Sequence, residues 1–482
     1  MAYTLETVGK DLYIDGSWRP GSDGRRIEIL DPATEQPIAS VADGSIADGI
    51  AAIEAAHRAG PAWAATAPRE RAEVLRRAFD LMHKHKESLA RLITLENGKA
   101  LGEARGEVAY AAEFLRWFSE EAVRILGEIG TAPSGTNRML VIRQPVGVSL
   151  FITPWNFPAA MATRKIGPAL AAGCSVVLKP APETPLTALA MAALFTEAGV
   201  PAGVVNVIPT SRAGEVTAAM LKDPRVRKLS FTGSTRTGRI LLAQAAENVI
   251  KCSMELGGNA PFIVCEDADL DVAVASAMVA KLRNGGQSCT AANRFYAHKA
   301  VAAEFAKRFA GAMREVKVGP GMQDGTELGP LIHGGARNNV ARLVDQALAG
   351  GARALSGGKA PSGKGWFYEP TVLFETRDDM PVMREEIFGP VAPIASFESE
   401  DEAIELANRT EMGLVSYIHT RDIGRGLRIS ERLEAGMVGL NRGLVSDPAA
   451  PFGGWKQSGI GREGAHEGIL EFLETKYIAT SW

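Results

Sequence analysis

Val146-Gly147-Val148-Ser149-Leu150-Phe151-Ile152-Thr153, running straight into Pro154-Trp155-Asn156-Phe157-Pro158, is the stretch on which the fold turns. Val146 to Thr153 is an apolar run far too short to span a bilayer, and it reads as a buried strand. Ala159 to Ala172 follows as a helix that stops at Gly173. The alternation then continues: strand Ser175 to Leu178, helix Pro185 to Ala198 with its stop at Gly199, and strand Val204 to Ile208. Helix Glu215 to Lys222, strand Lys228 to Phe231 and helix Thr237 to Glu247 complete the set. Strands spaced by helices of this length imply a parallel sheet with right-handed crossovers, an α/β architecture.

Outward from this core the character changes on both sides. Asp48 to Asn97 is helical in pattern, rich in Ala, Leu, Arg and Glu, with apolar positions every three or four residues. Downstream, a second α/β set begins with strand Pro261 to Val264. Helix Ala273 to Arg283, strand Arg294 to Ala297 and helix Val301 to Val316 continue it, before the Gly- and Asp-rich loop Gly319 to Gly329. Two pieces belong to neither set: a short strand Arg138 to Gln144, and a strand or arm over Glu471 to Trp482. Such appendages either cover a partner subunit or form a simple surface hairpin.

Bulk properties narrow the function classes. A chain of 482 residues divides into two or three domains. Its net charge of -3 offers no electrostatic case for nucleic acid or an anionic membrane. Met1 to Pro20 holds no basic segment followed by an apolar core, so no signal peptide is expected. The four cysteines form no CxxC pair, which fits reduced thiols in the cytoplasm. The seven histidines show no metal-ligand spacing, and no metal site is expected.

Of those cysteines, Cys289 stands apart. It lies in Gly285-Gly286-Gln287-Ser288-Cys289-Thr290, whereas Cys174, Cys252 and Cys265 sit on or beside apolar strands as inert thiols. Upstream, Glu255 lies in Met254-Glu255-Leu256-Gly257-Gly258-Asn259. A thiol and a separate carboxylate are what a two-stage aldehyde oxidation requires. The thiol attacks the aldehyde carbon, and the carboxylate activates the water that releases the acid. Asn156 can donate an N–H to the developing oxyanion together with the Cys289 backbone N–H, or be only a turn former between two prolines. Lys179 ends the second strand, at the edge where open α/β sheets bind ligands. There its ammonium reaches ribose or phosphate, or is merely solvated. Phe231-Thr232-Gly233-Ser234-Thr235-Arg236-Thr237-Gly238 ends the fourth strand and opens a helix whose N–H groups can receive a pyrophosphate.

Taken in order, these motifs resemble the NAD(P)-dependent aldehyde dehydrogenase family nearly end to end. They run on through Glu386-Ile387-Phe388-Gly389-Pro390 and Pro451-Phe452-Gly453-Gly454. The resemblance implies Cys289 as nucleophile, Glu255 as general base and Asn156 as oxyanion donor. It places Trp155, Lys179, Pro182, Gly233, Ser234, Leu256, Glu386 and Phe388 around NAD or NADP. It also implies a Rossmann-like cofactor domain (1–124 and 144–254, with 441–464 returning to it), a catalytic α/β domain (255–440) and a small β oligomerisation arm (125–143 and 465–482). A homodimer or homotetramer is expected.

Within the family the chain is most similar to succinate-semialdehyde dehydrogenases, through Arg164, Arg283 and Ser446 at positions that hold the substrate's distal carboxylate. Guanidinium groups suit that task because they bind carboxylate in a fork; for either Arg alone, a structural ion pair is the competing reading. Glutarate semialdehyde or a broader aldehyde range are the alternatives, and a non-catalytic protein on the same fold is a remote one. There are departures. Position 182 is Pro where relatives often carry Glu or Ser, which leaves the choice between NAD and NADP open. Position 291 is Ala where some relatives carry a second Cys. Arg442 and Asp447 are additions to the loop holding Ser446.

Overall fold

The computed structural model describes residues 3–481; Met1, Ala2 and Trp482, the last being the tip of the expected C-terminal arm, lie outside the described residues. The chain opens with two short antiparallel pairs that the apolar periodicity does not announce: β1 (Leu12–Ile14) with β2 (Ser17–Arg19), and β3 (Arg26–Asp31) with β4 (Gln36–Ala42). The helical region resolves into α1 (Ile46–Ala65), α2 (Pro68–Lys84) and α3 (Lys86–Asn97) rather than one rod. Each boundary has a local cause. Ser45 and Asp48 form a reciprocal capping box at the start of α1, and Pro68 opens α2 where a missing N–H costs nothing. Gly98, in the left-handed region at φ 92°, closes α3. A further helix, α4 (Leu101–Glu121), follows before β5 (Glu128–Thr131) and β6 (Arg138–Pro145).

The alternating region forms as the sequence predicts, with ends shifted by a residue or two. It comprises β7 (Val148–Ile152), α5 (Ala160–Ala172), β8 (Val176–Lys179), α6 (Pro185–Glu197) and β9 (Val205–Val207), then α7 (Ala213–Lys222), β10 (Val226–Thr232), α8 (Thr235–Ala246) and β11 (Lys251–Glu255). Its strands run parallel in the order β9-β8-β7-β10-β11. Both faces are covered, which is why β7 is buried throughout and apolar at every position but Ser149. Phe151 joins the core built with Phe114, Phe118 and Ile166, whereas its neighbours Leu150 and Ile152 join the opposite core with Ile53, Val216 and Leu241.

The second sheet is made of β12 (Ala260–Val264), β13 (Ala292–His298), β14 (Arg353–Ser356), β15 (Thr371–Phe374), β16 (Val391–Phe397), β18 (Val415–His419) and β19 (Met437–Leu440), in the order β14-β15-β16-β13-β12-β18-β19. A small pair, β17 (Met412–Gly413) with β20 (Trp455–Lys456), lies outside it. Helix α9 (Leu270–Leu282) connects β12 to β13. Returning late in the sequence, β21 (Gly459–Ile460) pairs with β11 on the first sheet. The two strands that fit neither set find each other: β22 (Leu473–Thr480) runs antiparallel along β6, with β5 on its other side. What positions the site is the crossing between the large sheets. Glu255 ends β11 in the first, Ala260 begins β12 in the second, and Leu256-Gly257-Gly258-Asn259 bridges them.

Candidate active site

Helix α9 ends at Leu282, one residue before the end expected from sequence, so Arg283 (φ -52°, ψ 122°) already lies outside it. The chain then turns through the left-handed region at Asn284 (φ 53°), Gly285 (φ 64°) and Gly286 (φ 76°). Glycine is required at the last of these, since a Cβ there would lie 2.1 Å from the Gly389 carbonyl oxygen. Asn284 adopts its unfavourable conformation because its surroundings hold it. Its backbone N–H donates to Glu103 at 2.6 Å, and its side-chain amide donates to the carbonyls of Asn156 (2.8 Å) and Gln287 (3.2 Å). Cys289 follows this turn, half-buried. Gly258 of the crossing passes so close behind it that a Cβ would stand 2.4 Å from the Cys289 carbonyl oxygen. Thus the glycines on both sides draw the Glu255 segment and the Cys289 segment together.

Asn156, at the carboxyl end of β7, is buried and donates from Nδ2 to the Gln287 carbonyl at 3.1 Å. Its amide is therefore aimed at the segment that carries Cys289. Glu255 is 3% exposed, and its Oε2 has no hydrogen-bond partner among the described residues. Burial, then the nearby Glu463 carboxylate, raises the Glu255 carboxyl well above the usual range, against the pull of Arg164, Lys165 and Arg462. Burial also pushes the Cys289 thiol up to about 12, with Arg164 and Arg283 drawing it down and Glu255 and Glu386 adding to the rise. These couplings place thiol, carboxyl and both guanidiniums within one electrostatic neighbourhood. A neutral thiol beside a carboxyl of raised basicity suits proton removal as the nucleophile attacks.

The two arginines differ. Arg283 stacks over Phe157 (4.7 Å to the ring centre) and Tyr110 (5.4 Å) and makes no ion pair among the described residues. Arg164 instead takes the ion pair that was the competing reading: its Nε lies 2.7 Å from Glu463 Oε2, and the guanidinium packs over Phe452 at 4.0 Å. Its Nη2 is left without a hydrogen-bond partner. Ser446 is half-buried in an irregular loop. Glu463 was missed from sequence, although it pairs with both Arg164 and Lys165. The available signal was a charged pair between glycines, Gly461-Arg462-Glu463-Gly464, just past Pro451-Phe452-Gly453-Gly454.

At the carboxyl ends of β7, β8 and β10, where the strand order reverses, lies a cleft of about 310 Å³. Lys179, Pro182, Gly233 and Ser234 line it. The residues fit a dinucleotide on three counts. Thr232 Oγ1 is buried there with no partner. Lys179 is 4% exposed, and burial pushes its ammonium down to about 8. Ser234 caps α8 by accepting from the Thr237 N–H, at a helix end that favours phosphate. Further along, Glu386 accepts from the Gly258 N–H at 3.1 Å, and burial pushes its carboxyl up to about 7. Leu256, also named from sequence, packs against Gly238, where a Cβ would meet it at 2.5 Å. Trp155 and Phe388 meet edge to face at 5.5 Å.

A thiol and a buried carboxyl near a cleft at the switch point of a parallel sheet suit an oxidoreductase that works through a cysteine. Residues 18–478 match the aldehyde dehydrogenase family, and the chain belongs to that family. It is 55% identical to a succinate-semialdehyde dehydrogenase of Paenarthrobacter nicotinovorans over 92% of this chain and 98% of the relative. It is 50% identical to a glutarate-semialdehyde dehydrogenase of Pseudomonas putida over 98% of each. Among solved structures, that of succinate-semialdehyde dehydrogenase from Burkholderia pseudomallei superposes with a TM-score of 0.98 at 48% identity and covers 100% of both chains. The chain is accordingly an NAD(P)-dependent aldehyde-oxidising enzyme of the α/β class.

Proposed function

We propose that the enzyme oxidises succinate semialdehyde, or a close ω-carboxy aldehyde, to the dicarboxylate. The observation that carries this reading is the Arg283 guanidinium, without an ion pair among the described residues, resting over two aromatic rings in the electrostatic reach of the nucleophile. A half-buried cation with no acid of its own is a receptor for a carboxylate. Arg164 Nη2 and the Ser446 hydroxyl complete the receptor. Glutarate semialdehyde is the second reading, since the identity to the Pseudomonas putida relative is nearly as high.

In the proposed reaction Glu255 takes the Cys289 thiol proton as Sγ bonds to the aldehyde carbon. Asn156 Nδ2, with the Cys289 backbone N–H, holds the oxyanion of the thiohemiacetal. A bound dinucleotide would supply the hydride acceptor that conversion of that adduct to a thioester requires. Glu255, relieved of its proton, then deprotonates the attacking water; the C–S bond breaks, the acid leaves and the thiol re-forms. Lys179, Ser234 and Gly233 hold the ribose and phosphates, with Trp155, Pro182 and Leu256 beside them. Glu386 holds the nicotinamide ribose next to Phe388. Pro182 neither bonds a 2′-hydroxyl nor repels a 2′-phosphate, so both NAD and NADP are admitted.

The three-stranded β5-β6-β22 sheet exposes Ile129 (72%) and Tyr477 (57%), which supports an arm that joins subunits into a homodimer or homotetramer. The two large sheets support the cofactor and catalytic domains, and the family chemistry suits the cytoplasm. No helix among the described residues is long and apolar enough to cross a membrane. The test is a spectrophotometric comparison of NAD and NADP reduction with succinate semialdehyde, glutarate semialdehyde, hexanal and benzaldehyde. The ω-carboxy aldehydes should lead in kcat/KM; hexanal or benzaldehyde outperforming them would overturn the reading.

A further inference from the structure

The segment joining α3 to α4 and the first turns of α4 lie outside every motif that marks the active site, yet Lys99 and Glu107 are buried there and Glu103 is half-buried beside them. Lys99 and Glu107 form an ion pair at 2.6 Å, each side chain 1% exposed. Ion pairs so completely removed from water add little net stability over an apolar pair, so their retention calls for another account. Each partner makes a second bond. Lys99 Nζ donates to the Asn156 carbonyl at 2.7 Å and sits over the Phe157 ring at 4.1 Å. Glu107 Oε1 accepts from the backbone N–H groups of Ala159 (2.9 Å) and Ala160 (3.3 Å), at the start of α5. The Asn156 carbonyl also receives the Asn284 side chain at 2.8 Å, and the Asn284 backbone N–H is in turn held by Glu103. The Pro154–Pro158 turn is thus gripped at the Asn156 carbonyl and again just past Pro158, at the start of α5, and the same grip reaches the turn that carries Cys289.

We infer that Lys99 is a positioning residue for the oxyanion donor: with Glu107 it fixes the Asn156 backbone so that Nδ2 stands where charge develops on the substrate oxygen. The inference rests on Asn156 being that donor. An oxyanion donor acts only when pre-placed, and an error of about 1 Å costs on the order of a hundredfold in rate. A lysine serves because its compact ammonium can bond a carbonyl and a carboxylate together.

The test compares Lys99→Met, Asn156→Ala and the unaltered enzyme by two readouts. One is the single-turnover rate of dinucleotide reduction at saturating semialdehyde. The other is the rate of Cys289 alkylation by iodoacetamide, a displacement at saturated carbon that forms no oxyanion. Lys99→Met should lower the turnover rate by more than about tenfold, with alkylation changed less than about twofold. A smaller fall in turnover, or one matched by alkylation, overturns the inference. Should Lys99→Met fail to fold because it strands the Glu107 charge, Lys99→Met/Glu107→Gln removes that charge, keeps an acceptor for α5, and carries the same expectation. Asn156→Ala separates the two claims. If it leaves turnover intact, the donor assignment is what fails; if it lowers turnover and the Lys99 variants do not, only the role of Lys99 fails.

Discussion

Two arginines beside one thiol have opposite surroundings. Arg164, inside α5, is 2% exposed, paired with Glu463 and packed over Phe452. Arg283, just past the end of α9, is half-buried over two aromatic rings and, among the described residues, forms no ion pair, although its charge acts on Glu103. A cation fixed in a buried helix must be neutralised by its own protein, because an unpaired buried charge is prohibitive. A cation at an irregular turn, partly wet and resting on ring faces, can wait for an external carboxylate. The same residue type is thus neutralised within the fold at one position and, in the proposed function, left for the substrate at the other.

The largest effect should come from stripping Arg164 of its partner. Glu463→Leu leaves both Arg164 and Lys165 without their acid, at a cost of about 3–5 kcal/mol by the usual penalty for breaking a buried pair. It would be read as a lowered urea midpoint. Arg283→Leu breaks no ion pair and should leave that midpoint almost unmoved. Equal shifts in the two variants would break the contrast.

A smaller but more selective effect is expected on substrate choice. A hydrogen bond to a charged group is worth about 1.5–3 kcal/mol. Arg283→Leu should therefore lower kcat/KM for succinate semialdehyde by about ten- to a hundredfold while leaving hexanal unaffected or improved. If both aldehydes lose equally, Arg283 supports the loop rather than the substrate.

The contrast also marks how far sequence could reach. The parallel sheet was legible because strands covered on both faces leave uninterrupted apolar runs, as Leu150, Phe151 and Ile152 do. Cys289 and Glu255 stood out through their glycine-flanked segments and Asn156 through its place after a buried strand, and the structure brings these segments together. The two arginines were named, but their difference was not, since it depends on Glu463, an acid 298 positions from the Lys165 it also pairs with. Lys99 and Glu107 escaped for the same reason: on α4 a buried acid and a surface acid look alike in sequence. The early strands β1 to β4 were missed because they are short or half-exposed, with Ile29 the one fully buried residue over Arg26–Asp31, and carry no clean two-residue period.

The smallest effect separates the arginines by their action on the base. Glu255 can take a proton only when ionised, so turnover falls as pH drops through its pKa. Burial and Glu463 raise that pKa above the ordinary carboxylate value of about 4.3, which sets the acid limb of the kcat profile correspondingly high. Arg164 pulls in the other direction by favouring the carboxylate. Arg164→Gln removes that pull, so the acid limb should move to higher pH. Arg283, whose charge is not among the leading influences on Glu255, can be changed to Leu with the limb left in place. Stability follows the same sign. The native Glu255 carboxyl keeps its proton to higher pH than the unfolded chain does. Its contribution is therefore full below the ordinary carboxylate pKa and declines as pH rises through the raised one. Glu255→Gln should abolish this decline and gain on the parent's stability as pH rises from the ordinary carboxylate value to the raised one, with no further gain above it. An acid limb that moves alike in both arginine variants, or in neither, would mean that the base does not distinguish the paired guanidinium from the unpaired one.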